Sequence, residues 1–270
     1  MLTSRGLGII AGIAIGLTVS ASGALAAQCG NNAGGFEAWK AQMAAEAKSA
    51  GIKGRGLQAL AATRYATATI KADRGQRSFK YSLQKFMQVR GANAIISRGK
   101  SLKRSNAKLF AAIEQRYGVP AGPLLAIWGM ETGFGRGQGG SNLLSATATL
   151  AYDCRRSAFF TGHLIAALKL VDRGVLSSRS VGAKHGEWGQ TQFLPGSVLK
   201  YGVDFDGGGV NLSGSKADAL ASTANFLRAH GWRRGGGYQK GQGNYNAIRG
   251  WNAAGVYQQA IAIIASKIDG

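Results

Sequence analysis

The sequence predicts a single, mainly α domain, and three observations predict it. Apolar residues recur at three- and four-residue steps in one segment after another, the period of a helix with one buried face. At 270 residues the chain is long enough for one sizeable core. No internal repeat and no low-complexity linker divides it.

The chain opens as an export signal. Met1 to Arg5 form a short positive region, Leu7 to Val19 an apolar run, and Ala24-Leu25-Ala26 a small-residue cleavage pattern. Cleavage near Ala26 or Ala27 makes residues 1–27 a signal peptide and leaves 28–270 as the mature domain, in the periplasm. A retained anchor is the competing reading, disfavoured by the glycines and alanines that interrupt the run and by the lack of a stop-transfer charge cluster. Phe36 to Lys48 then predicts a helix burying Phe36, Trp39, Met43 and Ala47. Between Arg55 and Ser97 the polarity is mixed, which predicts short helices and loops, with strand pieces left open. Leu102 to Tyr117 predicts one helix through Leu102, Leu109, Phe110 and Ile113, stopped by Gly118. The next starts near Pro123, where proline suits a first turn, and runs into Glu131. Ser157 to Arg173, Lys216 to His230 and Gly255 to Ile268 complete the helices. Gly207-Gly208-Gly209 and Gly235-Gly236-Gly237 predict loops over a site.

Two cysteines, Cys29 and Cys154, fit one disulfide in an exported protein or two free buried thiols, and spacing alone decides nothing. With no CxxC and no Cys/His cluster, the sequence disfavours a zinc site. The formal charge is +21, from 33 basic and 12 acidic residues. That excess favours a polyanionic partner. The basic residues are scattered, grouped only at Lys100 to Arg104 and Arg233-Arg234, so the pattern gives no nucleic-acid site.

Glu131 carries most of the chemistry, at the end of Leu124-Leu125-Ala126-Ile127-Trp128-Gly129-Met130-Glu131-Thr132-Gly133. An apolar helix ending in a carboxyl desolvates it, which disfavours the charged form and raises its pKa. A carboxylic acid still protonated near neutrality can donate to a glycosidic oxygen. A helix-end glutamate solvated or paired with Arg136 is the competing reading.

About 60 residues later comes Gly186-Glu187-Trp188-Gly189-Gln190-Thr191-Gln192-Phe193-Leu194-Pro195. Joined to the Glu131 segment, and to Tyr152-Asp153-Cys154-Arg155-Arg156-Ser157, Tyr201 to Gly207, Ala224 to Trp232 and Trp251-Asn252, it resembles the B-type lytic murein transglycosylases from about Phe36 onward. The resemblance implies a lysozyme-like α+β fold with a deep substrate groove. It also implies cleavage of the β-1,4 bond between N-acetylmuramic acid and N-acetylglucosamine in peptidoglycan glycan strands, without water. Glu131 matches the single acid/base. Gln192 matches a groove glutamine, or braces its own turn. Trp251 and Asn252 match a cleft pair, with Asn252 orienting Glu131 or a substrate amide and Trp251 also readable as core. Phe226 matches an aromatic wall, and Arg155 and Arg156 an arginine pair for stem-peptide carboxylates. Phe193, Trp188 and Tyr238 add stacking faces or core, and Glu187 serves either as auxiliary acid or at the surface. Where the family often has serine this chain has Ala183, so support for the acid must come from elsewhere, with His185 a candidate whose favoured reading is a solvent-facing loop histidine.

Asp204, Asp206 and the later Asp218 have the alternating oxygens of a calcium loop, with one ligand position missing. A metal-free glycine turn is the favoured reading and a structural calcium the alternative; no cofactor is required for the chemistry. Two other functions compete: a hydrolytic muramidase on the same fold, and a non-catalytic wall-binding protein. The sequence names no protein partner.

Overall fold

The structure, a computed structural model, describes residues 27–75 and 81–270, so the signal-peptide reading lies outside the described residues. Thirteen α-helices dominate them: Phe36–Ser49 (α1), Gly54–Ala61 (α2), Thr67–Arg74 (α3), Leu83–Val89 (α4), Ala92–Ser105 (α5), Ala107–Tyr117 (α6), Ala121–Thr132 (α7), Leu143–Tyr152 (α8), Ser157–Asp172 (α9), Pro195–Tyr201 (α10), Lys216–Ala229 (α11), Tyr245–Trp251 (α12) and Gly255–Asp269 (α13). Ser141–Asn142 (β1) and Val181–Gly182 (β2) form a two-stranded antiparallel pair. The domain is mainly helical, as the periodicity predicts.

Helix α7 is the axis of the fold. Every residue in it except Glu131 is buried, which fits a helix apolar on all sides. It packs on α13 and α5, and Gly129 permits the α5 contact: a Cβ there would stand 2.5 Å from a methyl of Ile95. The larger core surrounds α7, α11 and α13, and a second one collects Phe36, Trp39 and Met43 of α1 with Leu150 of α8 and Phe160 and Leu164 of α9.

One sequence expectation changes. The single helix expected over Leu102 to Tyr117 is broken at Asn106, whose side chain donates 3.0 Å to the Leu102 carbonyl and occupies a backbone angle (φ −122°, ψ 30°) that ends α5 and begins α6. The apolar spacing carries through the break, so periodicity cannot see it. Between Arg55 and Ser97 the described residues hold α2, α3, α4 and the start of α5, with no strand among them.

Cys29 and Cys154 form a disulfide. It joins the N-terminal segment to the turn after α8, where Gly30 N–H donates 2.9 Å to the Tyr152 carbonyl. The free-thiol reading therefore falls.

Candidate active site

A cavity of about 620 Å³ opens at the C-terminal end of α7. Glu131 lines it together with Glu187, Gln192, Phe193, Phe226, Trp251 and Asn252. Seven of the sequence-predicted positions thus converge from four separate stretches of chain.

The turn after Glu131 is tightly tied. Gly133, Phe134 and Gly135 all have positive φ, and Gly133 supplies the left-handed residue that ends α7. Thr132 donates its hydroxyl 2.6 Å to the Gln190 carbonyl and accepts 2.8 Å from Gly135 N–H, which fixes the helix end against the Trp188–Phe193 turn. That turn closes by reciprocal Trp188 and Phe193 backbone bonds of 2.8 and 2.9 Å. Gln192 sits inside it at φ 58°, a conformation rarely held by a side-chain-bearing residue outside a functional or constrained turn. Its amide nitrogen donates 2.8 Å to the Gly189 carbonyl, so it braces the turn while lining the cavity.

Two donors grip one oxygen of Glu131. Trp251 Nε1 donates 3.1 Å to Oε1, and the Tyr257 hydroxyl donates to the same atom. Burial pushes the Glu131 carboxyl above its ordinary pKa, and the nearby Glu187 charge adds to the rise; the Tyr257 and Trp251 hydrogen bonds and the Arg90 charge oppose it. Burial likewise drives the Tyr257 phenol well above its usual value, with Glu131 reinforcing it. Tyr257 thus stays a donor.

The support that Ala183 cannot give therefore comes from Trp251 and Tyr257, and not from His185. Asn252 does not bond Glu131; its side-chain oxygen accepts 3.0 Å from Ala254 N–H, in the turn before α13. Tyr257 was not picked out by sequence. The available signal was a lone tyrosine on an apolar helix face, which needs a partner for its hydroxyl.

Glu187 is brought to the site by the turn after β2, where Ala183 N–H bonds the Glu187 carbonyl at 2.9 Å. Burial raises its pKa, against the lowering charge of His185. Glu187 Oε2 and His185 Nε2 are buried with no partner among the described residues. One wall is aromatic: Phe226 lies edge-on to Trp251 at 5.2 Å and to Tyr201 at 5.0 Å, and stacks on His230 at 3.9 Å. Phe159, His163 and Lys200 also line the cavity, none singled out from sequence.

Other predicted positions lie elsewhere. Arg155 and Arg156 are not in the cavity lining; both guanidinium groups pair with the nearly buried Asp73 of α3. Tyr238 is also outside it, stacked on Trp232 at 5.7 Å and donating 2.9 Å to Asp269. Trp188 is buried beside the site without lining it, and neither glycine run borders the cavity.

Asp204, Asp206 and Asp218 each bring an oxygen within 4.8 Å of the others, a spacing a cation can bridge. Each is also engaged internally. Asp218 accepts from Phe205 and Asn211 N–H at 2.7 and 2.8 Å, Asp204 from Gly207 and Gly209 N–H at 2.7 and 3.0 Å, and Asp206 from the Ser215 hydroxyl at 2.5 Å.

Comparison with known proteins adds a consistent pattern. The family described as transglycosylase SLT domain matches residues 35–242. Membrane-bound lytic murein transglycosylase B of Escherichia coli K12 is 40% identical over 124 residues, 45% of this chain and 34% of that protein. The match therefore spans about a third of that relative's length. SltB3 from Pseudomonas aeruginosa, solved with NAG-NAM-pentapeptide, superposes with a TM-score of 0.79 at 29% identity, covering 87% of this chain and 80% of that one. The Escherichia coli lytic transglycosylase Slt35, solved with calcium, gives 0.72 at 20% identity over 90% and 96% of the two chains, a likeness of fold.

Proposed function

This chain belongs to the transglycosylase SLT domain family, with the B-type lytic murein transglycosylases, and from that premise we propose that it cleaves peptidoglycan strands without water. The observation that carries the reading is Glu131: a carboxyl held above its ordinary pKa, gripped at Oε1 by two donors and open to a cavity wide enough for sugars. Protonated Glu131 donates to the bridging oxygen, and the muramyl C1–O bond breaks. The resulting carboxylate takes the proton of the same sugar's C6 hydroxyl as O6 bonds to C1, closing a 1,6-anhydro ring. Glu131 ends protonated, as it began. The nucleophile belongs to the substrate, so proximity replaces a second protein group.

The remaining site residues bind. Gln192 and Asn252 present amides to sugar hydroxyl and acetamido groups, and Phe193, Phe226 and Trp251 form the apolar wall. Support for a glycan-peptide ligand comes from SltB3, which was solved with NAG-NAM-pentapeptide. One observation favours hydrolysis as a second reading: Glu187 places another carboxyl in the same cavity, which a water-activating route would use. Residues 28–270 are read as the catalytic domain, exported after loss of 1–27. The Cys29–Cys154 disulfide suits an oxidising compartment, and no described helix is long and apolar enough to cross a membrane. No cofactor enters the chemistry. Asp204, Asp206 and Asp218 are the residues that would hold a structural calcium.

Glu131→Gln separates an enzyme from a wall-binding protein. The variant keeps wall binding and loses cleavage if the reading is right. Cleavage undiminished in the variant, or absent in both proteins, overturns it.

A further inference from the structure

The net charge of +21 is not explained by the cavity, and its distribution is uneven. Asp73, Asp153 and Asp269 are spent on Arg74, Lys103, Arg155 and Arg156, and Asp172 and Asp218 on backbone N–H groups. Against that background exposed Arg116 at the end of α6, Arg228 near the end of α11 and Arg234 just beyond it come together, with exposed Arg233 adjoining Arg234 in sequence. Arg228 Nη1 donates 3.2 Å to the Arg116 carbonyl, and Arg234 Nη2 donates 2.7 and 2.8 Å to the Glu114 and Gln115 carbonyls. The charges of Arg116 and Arg228 both act on the Tyr117 phenol. Among the described residues no carboxylate pairs with any of the four.

The tethers hold two exposed guanidinium forks in place, and their other N–H groups have no partner among the described residues, which makes a preorganised surface for planar carboxylates. The cluster is not an arm of the cavity. Phe226 and His230, four residues apart on one side of α11, face the cavity, whereas Arg228 between them points the other way.

We propose that this cluster is a second wall-binding site, which holds stem-peptide carboxylates of a murein strand other than the one being cut. The identity of the polymer rests on the functional reading above. A lipid surface fits less well, because the large exposed apolar side chains among the described residues, Tyr81, Val89, Phe159 and Val181, all lie on other segments.

The test compares the mature chain with Arg116→Gln/Arg228→Gln/Arg233→Gln/Arg234→Gln. A second variant, Arg116→Gln/Arg233→Gln, spares the two tethering side chains in case the first fails to fold. Each is sedimented with intact murein, with murein glycan stripped of its peptides, and with phosphatidylglycerol vesicles, and each is assayed on a short soluble murein fragment. The quadruple variant should bind intact murein about tenfold more weakly at low salt, the double variant by roughly a third of that factor, with stripped glycan unaffected. Turnover of the soluble fragment should stay within about twofold. Unchanged retention on intact murein, or equal loss on stripped glycan, overturns the proposal. Tighter wild-type binding to vesicles, lost in the variants, would reassign the cluster to lipid. Failure of the wild type to cut the soluble fragment would instead count against the enzymatic reading, with the sedimentation contrast still reading the cluster.

Discussion

Tyr257 donates its hydroxyl to Oε1 of Glu131 across 126 residues of sequence, and Trp251 donates to that same atom. Among the described residues Oε2 has no hydrogen-bond partner, so in the proposed reaction it is the oxygen left to carry the transferred proton. Helix α13 therefore sets the orientation of a side chain carried by α7, the helix it packs on.

Tyr257→Phe keeps the buried ring and removes one donor to the charged form of Glu131. That donor lowers the Glu131 pKa, so its loss raises it, and the alkaline limb of the pH–rate profile should move to higher pH. Activity at neutral pH should fall about tenfold, the scale of one hydrogen bond to a charged group. A profile displaced to lower pH would contradict the arrangement.

Glu187→Gln should shift the same limb the other way. The Glu187 charge raises the Glu131 pKa, so neutralising it lets Glu131 ionise earlier. Two substitutions at one site with opposite signs make a stringent pair, read from kcat/KM against pH.

Glu131→Gln should abolish cleavage and stabilise the fold at alkaline pH. The pKa of Glu131 is raised by folding, so its contribution to stability is present at low pH and lost as pH rises through the folded value. Removing the titration should raise Tm by about 2–4 °C at pH 8, with the gain shrinking on acidification. Thermal melts at several pH values check this.

Replacing Cys29 and Cys154 together by alanine opens a link between residues 125 apart. A loop that long predicts a loss of about 2–5 kcal/mol of stability, measurable by urea unfolding.

Calcium should leave the melting midpoint of the mature chain unchanged to within about 1 °C. Backbone N–H groups and Ser215 already bond the Asp204, Asp206 and Asp218 oxygens. A clear rise on adding calcium, reversed by chelator, would assign the triad to a bound ion.

Much of the fold was legible because burial has a local signature. Phe36, Trp39, Met43 and Ala47 repeat at helical steps and are all buried on α1. The break at Asn106 was not legible, since it depends on one side chain capturing a carbonyl while the apolar rhythm continues. In the site, Glu131, Gln192, Phe226 and Trp251 stood out through motif and spacing and share one cavity. Lys200 reaches it only through the placement of α10, and Tyr257 reaches Glu131 only through the packing of α13, which no local pattern encodes. Arg155 and Arg156 illustrate the converse: a free-looking pair is captured by Asp73, 82 and 83 positions away.

Mass spectrometry of the soluble products from purified murein, digested by the mature chain with Glu131→Gln beside it, tests the central claim most directly. The account predicts anhydro-muropeptides, each one water lighter than the hydrolytic product, from the wild type alone. Reducing-end muropeptides from the wild type, or anhydro products from the variant, would contradict it.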